Sequence, residues 1–311
     1  MPAQNESADG SSAPYKQHVN VHEVMKGAHL DVAITKPADP PIILPINDIP
    51  GDTKYTPEEI DARKKLAAVY RLVDYFKWTQ IIYNHITMRV PGTEQILINP
   101  FGLQYYEITA NKLAKITLDG QILDRGPTNY GVNRAGYIIH TAIHEARPDI
   151  HCTLHLHNTA VAAVSSMKCG LLPINQEAMI IGPVAYLDYE GIFESDEDKK
   201  ELREKIKDLK IKLLFLRNHG FVAMGETAEE AWLLTYYTVL ACETQVKTMV
   251  GGLDNVIIPS GKAVQQAYDF VHRGSYTHDN KAWKQYRYGE FEWEAWMREL
   301  DTRGYVTGHE Y

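Results

Sequence analysis

Two short apolar runs each deliver histidine at or just beyond their ends, and this constrains the fold more than any other feature of the chain. His155 and His157 stand in His-Leu-His after the run Ile150–Leu154, which His151 interrupts, and His219 stands in Asn-His-Gly after Leu213–Leu216. Both runs read as β-strands. Side chains on a strand alternate faces, so residues two apart point the same way and two imidazoles can meet one ion. A third histidine on a neighbouring strand would close a three-nitrogen site with open positions, the arrangement a catalytic divalent metal requires. The two runs would then have to lie close together in the fold. His-x-His on an apolar strand also serves packing, and spacing alone does not tie His219 to the pair.

The chain has 311 residues, 44% hydrophobic and 23% charged, enough for a sizeable core in one large domain or two small ones. A net charge of −8 argues against a nucleic-acid groove or an anionic membrane surface as partner. No apolar stretch approaches the ~20 residues of a membrane span, and no signal-peptide core follows Met1, so a cytoplasmic protein is expected. Cys152, Cys169 and Cys242 include no Cys-x-x-Cys pair, which fits reduced thiols.

Residues 1–55 read as a disordered polar start followed by an extended, Pro-rich arm. A central domain is expected over 56–255 and an aromatic-rich extension over 256–311, packing on that domain or on a neighbouring subunit. The first helix opens at Thr56-Pro57-Glu58-Glu59, a cap residue followed by proline and early acids. Strands are expected at Ile81–Tyr83, Ile86–Val90 and Gln95–Asn99, then a hairpin around Asp119-Gly120. Further helices are expected over Arg134–Ala146, from Asn158 or Thr159 to about Met167, over 198–209, and from the capping box at Thr227 to about Val250. The order suggests one α/β domain, a mainly antiparallel sheet covered by helices. There is no G-x-G-x-x-G and no P-loop.

Several stretches resemble the class II aldolase/adducin family: RLVDYFKWTQIIYNHITMRVP (71–91), INPFGLQYYEIT (98–109), ARPDIHCTLHLHNTAVAAVSSMKCGLLPI (146–174), VAYLDYEG (184–191) and LRNHGFVAMGETAEEA (216–231). Within the family the chain is more similar to the adducin head and its free-standing relatives than to the sugar-phosphate aldolases. Residues 274–311 are similar to the end of that head. The resemblance implies a three-layer α/β/α domain with a central, mainly antiparallel sheet, usually assembled as a homotetramer. It implies a divalent metal, zinc before Fe(II) or Mn, held by residues matching His155, His157 and His219. In the aldolases that metal polarises a carbonyl while a glutamate moves protons. Gly136 stands where that glutamate belongs, in Asn133-Arg134-Ala135-Gly136, and the serines that help bind substrate phosphate are absent.

The resemblance places Asn84, Asn99 and Gly102 in substrate loops, and Arg134 is a candidate carboxylate contact. His85 is a candidate acid, base or substrate contact, at a position where cytoskeletal adducin heads tend not to carry histidine. Glu177 is the first choice of carboxylate to replace the missing glutamate, with Glu107 and Asp188 behind it. His140 and His144 share a helix face and are expected to pack or face solvent. Tyr305, His309 and Tyr311 are candidates to lie over a neighbour's site. The leading expectation is a metal-dependent, aldolase-like lyase that cleaves a C–C bond in a non-phosphorylated carbonyl or hydroxy-acid substrate. One alternative is a non-haem Fe(II) oxygenase or oxidative decarboxylase on the same histidines. The other is a non-catalytic, oligomeric adducin-like scaffold. The chain is expected to end with the head, without the neck and basic tail of a cytoskeletal adducin.

Overall fold

The structure, a computed structural model, describes residues 43–188, 196–278 and 283–311. The expected disordered start and most of the Pro-rich arm lie outside the described residues, as do the side chains of Tyr276 and Trp283. Helix α1 (Pro57–Tyr75) starts as its pattern predicts, with the Thr56 hydroxyl accepting from the Glu59 N–H at 3.2 Å. Ile81–Tyr83, expected as a strand, is instead an exposed turn. Ile81 has a φ of 53°, which no strand residue adopts.

Among the described residues eight strands form one sheet: β1 (His85–Arg89), β2 (Gln95–Ile98), β3 (Ala114–Thr117), β4 (Ile122–Asp124), β5 (Cys152–Leu156), β6 (Val184–Leu187), β7 (Leu213–Leu216) and β8 (Gly220–Gly225). Their order across the sheet is β4-β3-β2-β1-β5-β8-β7-β6, antiparallel except for the β6–β7 pair. The sheet therefore brings β5 against β8, and the two histidine-bearing segments meet. A separate hairpin pairs β9 (Ser275–His278) with β10 (Trp283–Tyr286).

Strand alternation sorts the sheet into two faces. Cys152, Leu154 and Leu156 of β5, with Leu213, Phe215, Phe221 and Ala223, point into a core shared with α1, α3 (Thr159–Ser165), α6 (Ala228–Thr248) and α8 (Glu290–Thr302). Leu214, Leu216, Val222 and Met224 point the other way, into a second core with α2 (Arg134–Ala146) and α5 (Asp196–Ile206). The layers are helix, sheet, helix. The short α4 (Gln176–Ile180) and α7 (Gly261–His272) pack on one another, and α4 also meets α6. Among the described residues no helix is long and apolar enough to cross a membrane.

Candidate metal centre

In register, His155 on β5 stands directly opposite His85 on β1, and Thr153 opposite Thr87. These four side chains alternate with Leu154 and Ile86, which enter the apolar core, so they emerge on the face that α2 covers. His157 lies just past the end of β5, where its backbone N–H donates to Asn84 Oδ1 at 3.2 Å. The next residue, Asn158, caps α3 through its side-chain oxygen, accepting from the N–H groups of Ala160 and Val161 at 2.9 and 3.4 Å. The strand is thus stopped sharply behind His157. His219 comes from the Arg217-Asn218-His219 loop between β7 and β8, where Asn218 takes a left-handed φ of 58°. Gly220 follows, and the Leu156 carbonyl lies so close that a Cβ there would collide with it.

This construction brings three imidazoles to one point. Nε2 of His157 lies 2.7 Å from Nε2 of His155 and 2.8 Å from Nε2 of His219, and the potential ligand atoms of all three lie within 4.8 Å of one another. His155 is buried, whereas His157 and His219 are half-buried and give the cluster its open side. Nδ1 of His155 donates to the Phe221 carbonyl at 2.9 Å, which leaves Nε2 as the bare, outward-facing nitrogen. Burial holds the His155 ring well below the usual histidine range, and repulsion from His85, His157 and His219 adds to the effect. Burial, then His219, lowers His157 to about 4, and burial alone lowers His219. All three rings are neutral at pH 7, the form that ligates metal.

The other candidates separate. His85 is buried beside the cluster, its ring centroid 4.9 Å from that of His155. Asn84 and Asn99 are both buried and turned into the scaffold. Asn84 Nδ2 donates to the Trp78 carbonyl, and Asn99 Oδ1 lies 2.9 Å from the Tyr70 hydroxyl. Gly102 makes a turn against the Tyr130 ring with a φ of 120°. Arg134 is exposed at the start of α2. Glu177 lies in the first turn of α4, near enough to Tyr237 to perturb it, and among the described residues no carboxylate joins the three histidines. Glu107 closes a local capping box with Gln104, and Asp188 is exposed. Tyr311 bonds to Asp301 of its own chain.

Two residues expected to pack or face solvent are packed, and they reach the ring beside the centre. His140 and His144 are buried on the face of α2 that lies over β1, and His140 Nε2 is 2.7 Å from His85 Nδ1. The signal available in the sequence was the polar pattern of β1, where His85 and Thr87 alternate with Ile86 and Met88.

The family model for the class II aldolase and adducin N-terminal domain matches residues 64–246. The chain belongs to the class II aldolase and adducin family. Adducin-related protein 1 of Caenorhabditis elegans is 46% identical over 267 residues, covering 86% of this chain and 36% of that protein. Alpha-adducin of Rattus norvegicus is 48% identical over 277 residues, covering 87% and 37% respectively. The chain thus spans little more than a third of the length of these adducins. Among solved structures, an aldolase II superfamily protein from Pseudomonas syringae superposes with a TM-score of 0.73 at 36% identity, covering 82% of this chain and 97% of that one. The L-fuculose 1-phosphate aldolase of Glaciozyma antarctica shares the fold, with a TM-score of 0.67 at 22% identity, covering 83% of this chain and 95% of that one. The class II aldolase fold expected from the sequence is therefore present in this chain. Class II aldolases typically use a divalent metal, and the converging, neutral nitrogens of His155, His157 and His219 fit such an ion.

Proposed function

We propose that this chain is an adducin-head-like, oligomeric binding domain whose three-histidine centre holds a divalent ion, and that it does not run the aldolase proton transfer. One observation carries this reading. By the family resemblance Gly136 stands at the position of the aldolase glutamate, and the His85 ring fills the space in front of it, so that a Cβ there would stand 2.5 Å from His85 Cδ2. A carboxylate on this turn of α2 has no room to enter. The adducin relatives, at 46% and 48% identity over most of the chain, support the same reading. His155, His157 and His219 would hold the ion, zinc in the first instance with Fe(II) or Mn as alternatives. Three nitrogen ligands on two connected segments would then tie β5 to the β7–β8 turn. When bound, the ion would supply a Lewis acid at an open coordination position.

A second reading is a metal-dependent lyase acting on a non-phosphorylated carbonyl or hydroxy acid. What favours it is His85 itself, a buried neutral imidazole next to the cluster in a chain that lacks the glutamate. An oxidative decarboxylase on the same histidines needs bound Fe(II) and oxygen uptake.

The test is elemental analysis of protein purified without chelator or oxygen, beside the His155→Ala/His219→Ala variant, with light scattering and a screen of carbonyl and hydroxy-acid substrates. The scaffold reading expects about one metal per chain, lost in the variant, an oligomer in both, and no turnover. Turnover that disappears with the metal would overturn it in favour of the lyase. Bound iron with oxygen consumption would favour the oxidative alternative. A wild-type chain that holds no metal would leave a scaffold without its ion.

A further inference from the structure

Four buried side chains run from the metal centre into the layer beneath α2. His85 Nδ1 lies 2.7 Å from His140 Nε2, and His140 Nδ1 lies 2.8 Å from Thr87 Oγ1. Thr87 Oγ1 in turn lies 3.0 Å from His144 Nε2, and His144 Nδ1 lies 3.1 Å from the backbone carbonyl of Ile150. The spacing is no accident of rotamers. His85 and Thr87 are two apart on a strand, a rise of about 6.6 Å, and His140 and His144 are four apart on a helix, a rise of about 6 Å, so the two rows keep step.

The direction of every hydrogen bond in this chain follows from its last link. A carbonyl oxygen only accepts, so His144 carries its proton on Nδ1 and presents a bare Nε2. Thr87 has one hydroxyl proton and faces two imidazole nitrogens. Only if that proton goes to His144 Nε2 are both contacts bonds rather than opposed lone pairs. The Thr153 hydroxyl is the other neighbour of His144 Nε2 and lies farther away, at 3.4 Å. Thr87 Oγ1 must then accept from His140 Nδ1–H, which leaves His140 Nε2 bare. His140 Nε2 therefore accepts from His85 Nδ1–H. The sequence of donors ends with an unprotonated Nε2 on His85. That Nε2–Cδ2 edge lies along Gly136, at the place a side chain there would occupy. Burial keeps His144, where the direction is set, neutral, so no added proton reverses the chain.

We propose that His144, Thr87 and His140 are positioning residues that lock His85 in its Nδ1–H tautomer, so that its bare Nε2 stands beside the three-histidine centre as a fixed acceptor for a hydroxyl or water held there. The proposal rests on the metal-site reading only for what His85 faces. The tautomer is a property of the metal-free chain. Gly136 belongs to the same device, since any larger residue would push the His85 ring out of line with His140.

The experiment is a nitrogen-15 spectrum of selectively labelled histidines in chelator-treated protein, with His85→Asn used to assign the His85 signals. The expected result is a protonated Nδ1 and an unprotonated Nε2 at His85, kept in Thr87→Ser and lost to a mixture of tautomers in Thr87→Val. A wild-type His85 carrying its proton on Nε2 would overturn the proposal, as would an unchanged His85 tautomer in folded Thr87→Val. Should Thr87→Val fail to fold, the wild-type spectrum decides alone. Adding zinc to the same sample separates the two readings: a correct tautomer with no zinc-induced shift at His155, His157 or His219 sinks the metal site and leaves the tautomer lock standing.

Discussion

A methyl group added at Gly136 would stand 2.5 Å from Cδ2 of His85, closer than real contacts allow. Position 136 is the third residue of α2, where alanine is otherwise preferred over glycine by up to about 1 kcal/mol. The neighbouring ring cannot simply swing aside, because His140 holds its Nδ1 and His155 lies across from it in register. Overpacking of this kind costs about 1–3 kcal/mol. Gly136→Ala should therefore destabilise the protein by about 1 kcal/mol, yet stabilise it by about 0.5–1 kcal/mol once His85 is replaced by alanine. Urea unfolding of the four proteins at one concentration measures both effects, and the same sign in both backgrounds would refute the steric account. The histidines of the centre were legible in the sequence because each sits at a strand end or turn whose local signals are strong. His140 and His144 were not, since their partners Thr87 and His85 come from a distant strand that only the sheet order places beneath them.

At the scale of elements, the strand, helix and turn that meet at the centre share a dependence on pH. Burial takes His144 from 6.5 to about 3 and His140 well below its ordinary value. Between those limits the unfolded chain binds protons that the folded chain refuses, so stability falls as pH falls below about 6.5. Each such histidine costs about 1.4 kcal/mol per pH unit. Thermal unfolding with chelator present should show this fall, and His144→Gln should make it shallower by up to one proton. An equally steep fall in that variant would show that His144 is not held neutral. The junction of β5 with α3 carries a second expectation. Asn158 both caps α3 and ends the strand behind His157, so Asn158→Ala should cost about 1 kcal/mol and weaken zinc binding with it. Titration calorimetry checks the second effect, and unchanged affinity would mean that the cap does not aim His157. Caps of this kind were readable from sequence at Thr56, Asn158 and Thr227 because a cap needs only its own next three residues. The turn at Ile81 was not readable, since an apolar residue in a left-handed conformation leaves no mark in a hydrophobic pattern.

For the molecule as a whole, the segment matched by the family model is smaller than the unit that shares a core. The match covers 64–246, but Trp293, Met297 and Leu300 of α8 are buried in the same cluster as Leu66, Tyr70 and Trp232. Trp296 packs edge-on against Phe76 at 5.1 Å and also meets Tyr236, while the Tyr305 and Val306 carbonyls accept from the Ile46 and Asn47 N–H groups. The C-terminal residues thus pack on α1 and α6 and bond to the segment that precedes α1. Losing one large buried aromatic costs about 3–5 kcal/mol, a large part of the 5–15 kcal/mol by which domains are stable. Trp293→Ala should therefore lower the unfolding temperature sharply, and a chain cut after residue 255 should not fold. Circular dichroism and light scattering on the fragment that keeps residues 1–255 test this directly. A soluble fragment with a cooperative melt would mean that residues 256–311 are an appendage, whereas an aggregated or unfolded fragment would mark them as part of the structure that holds the three-histidine centre together.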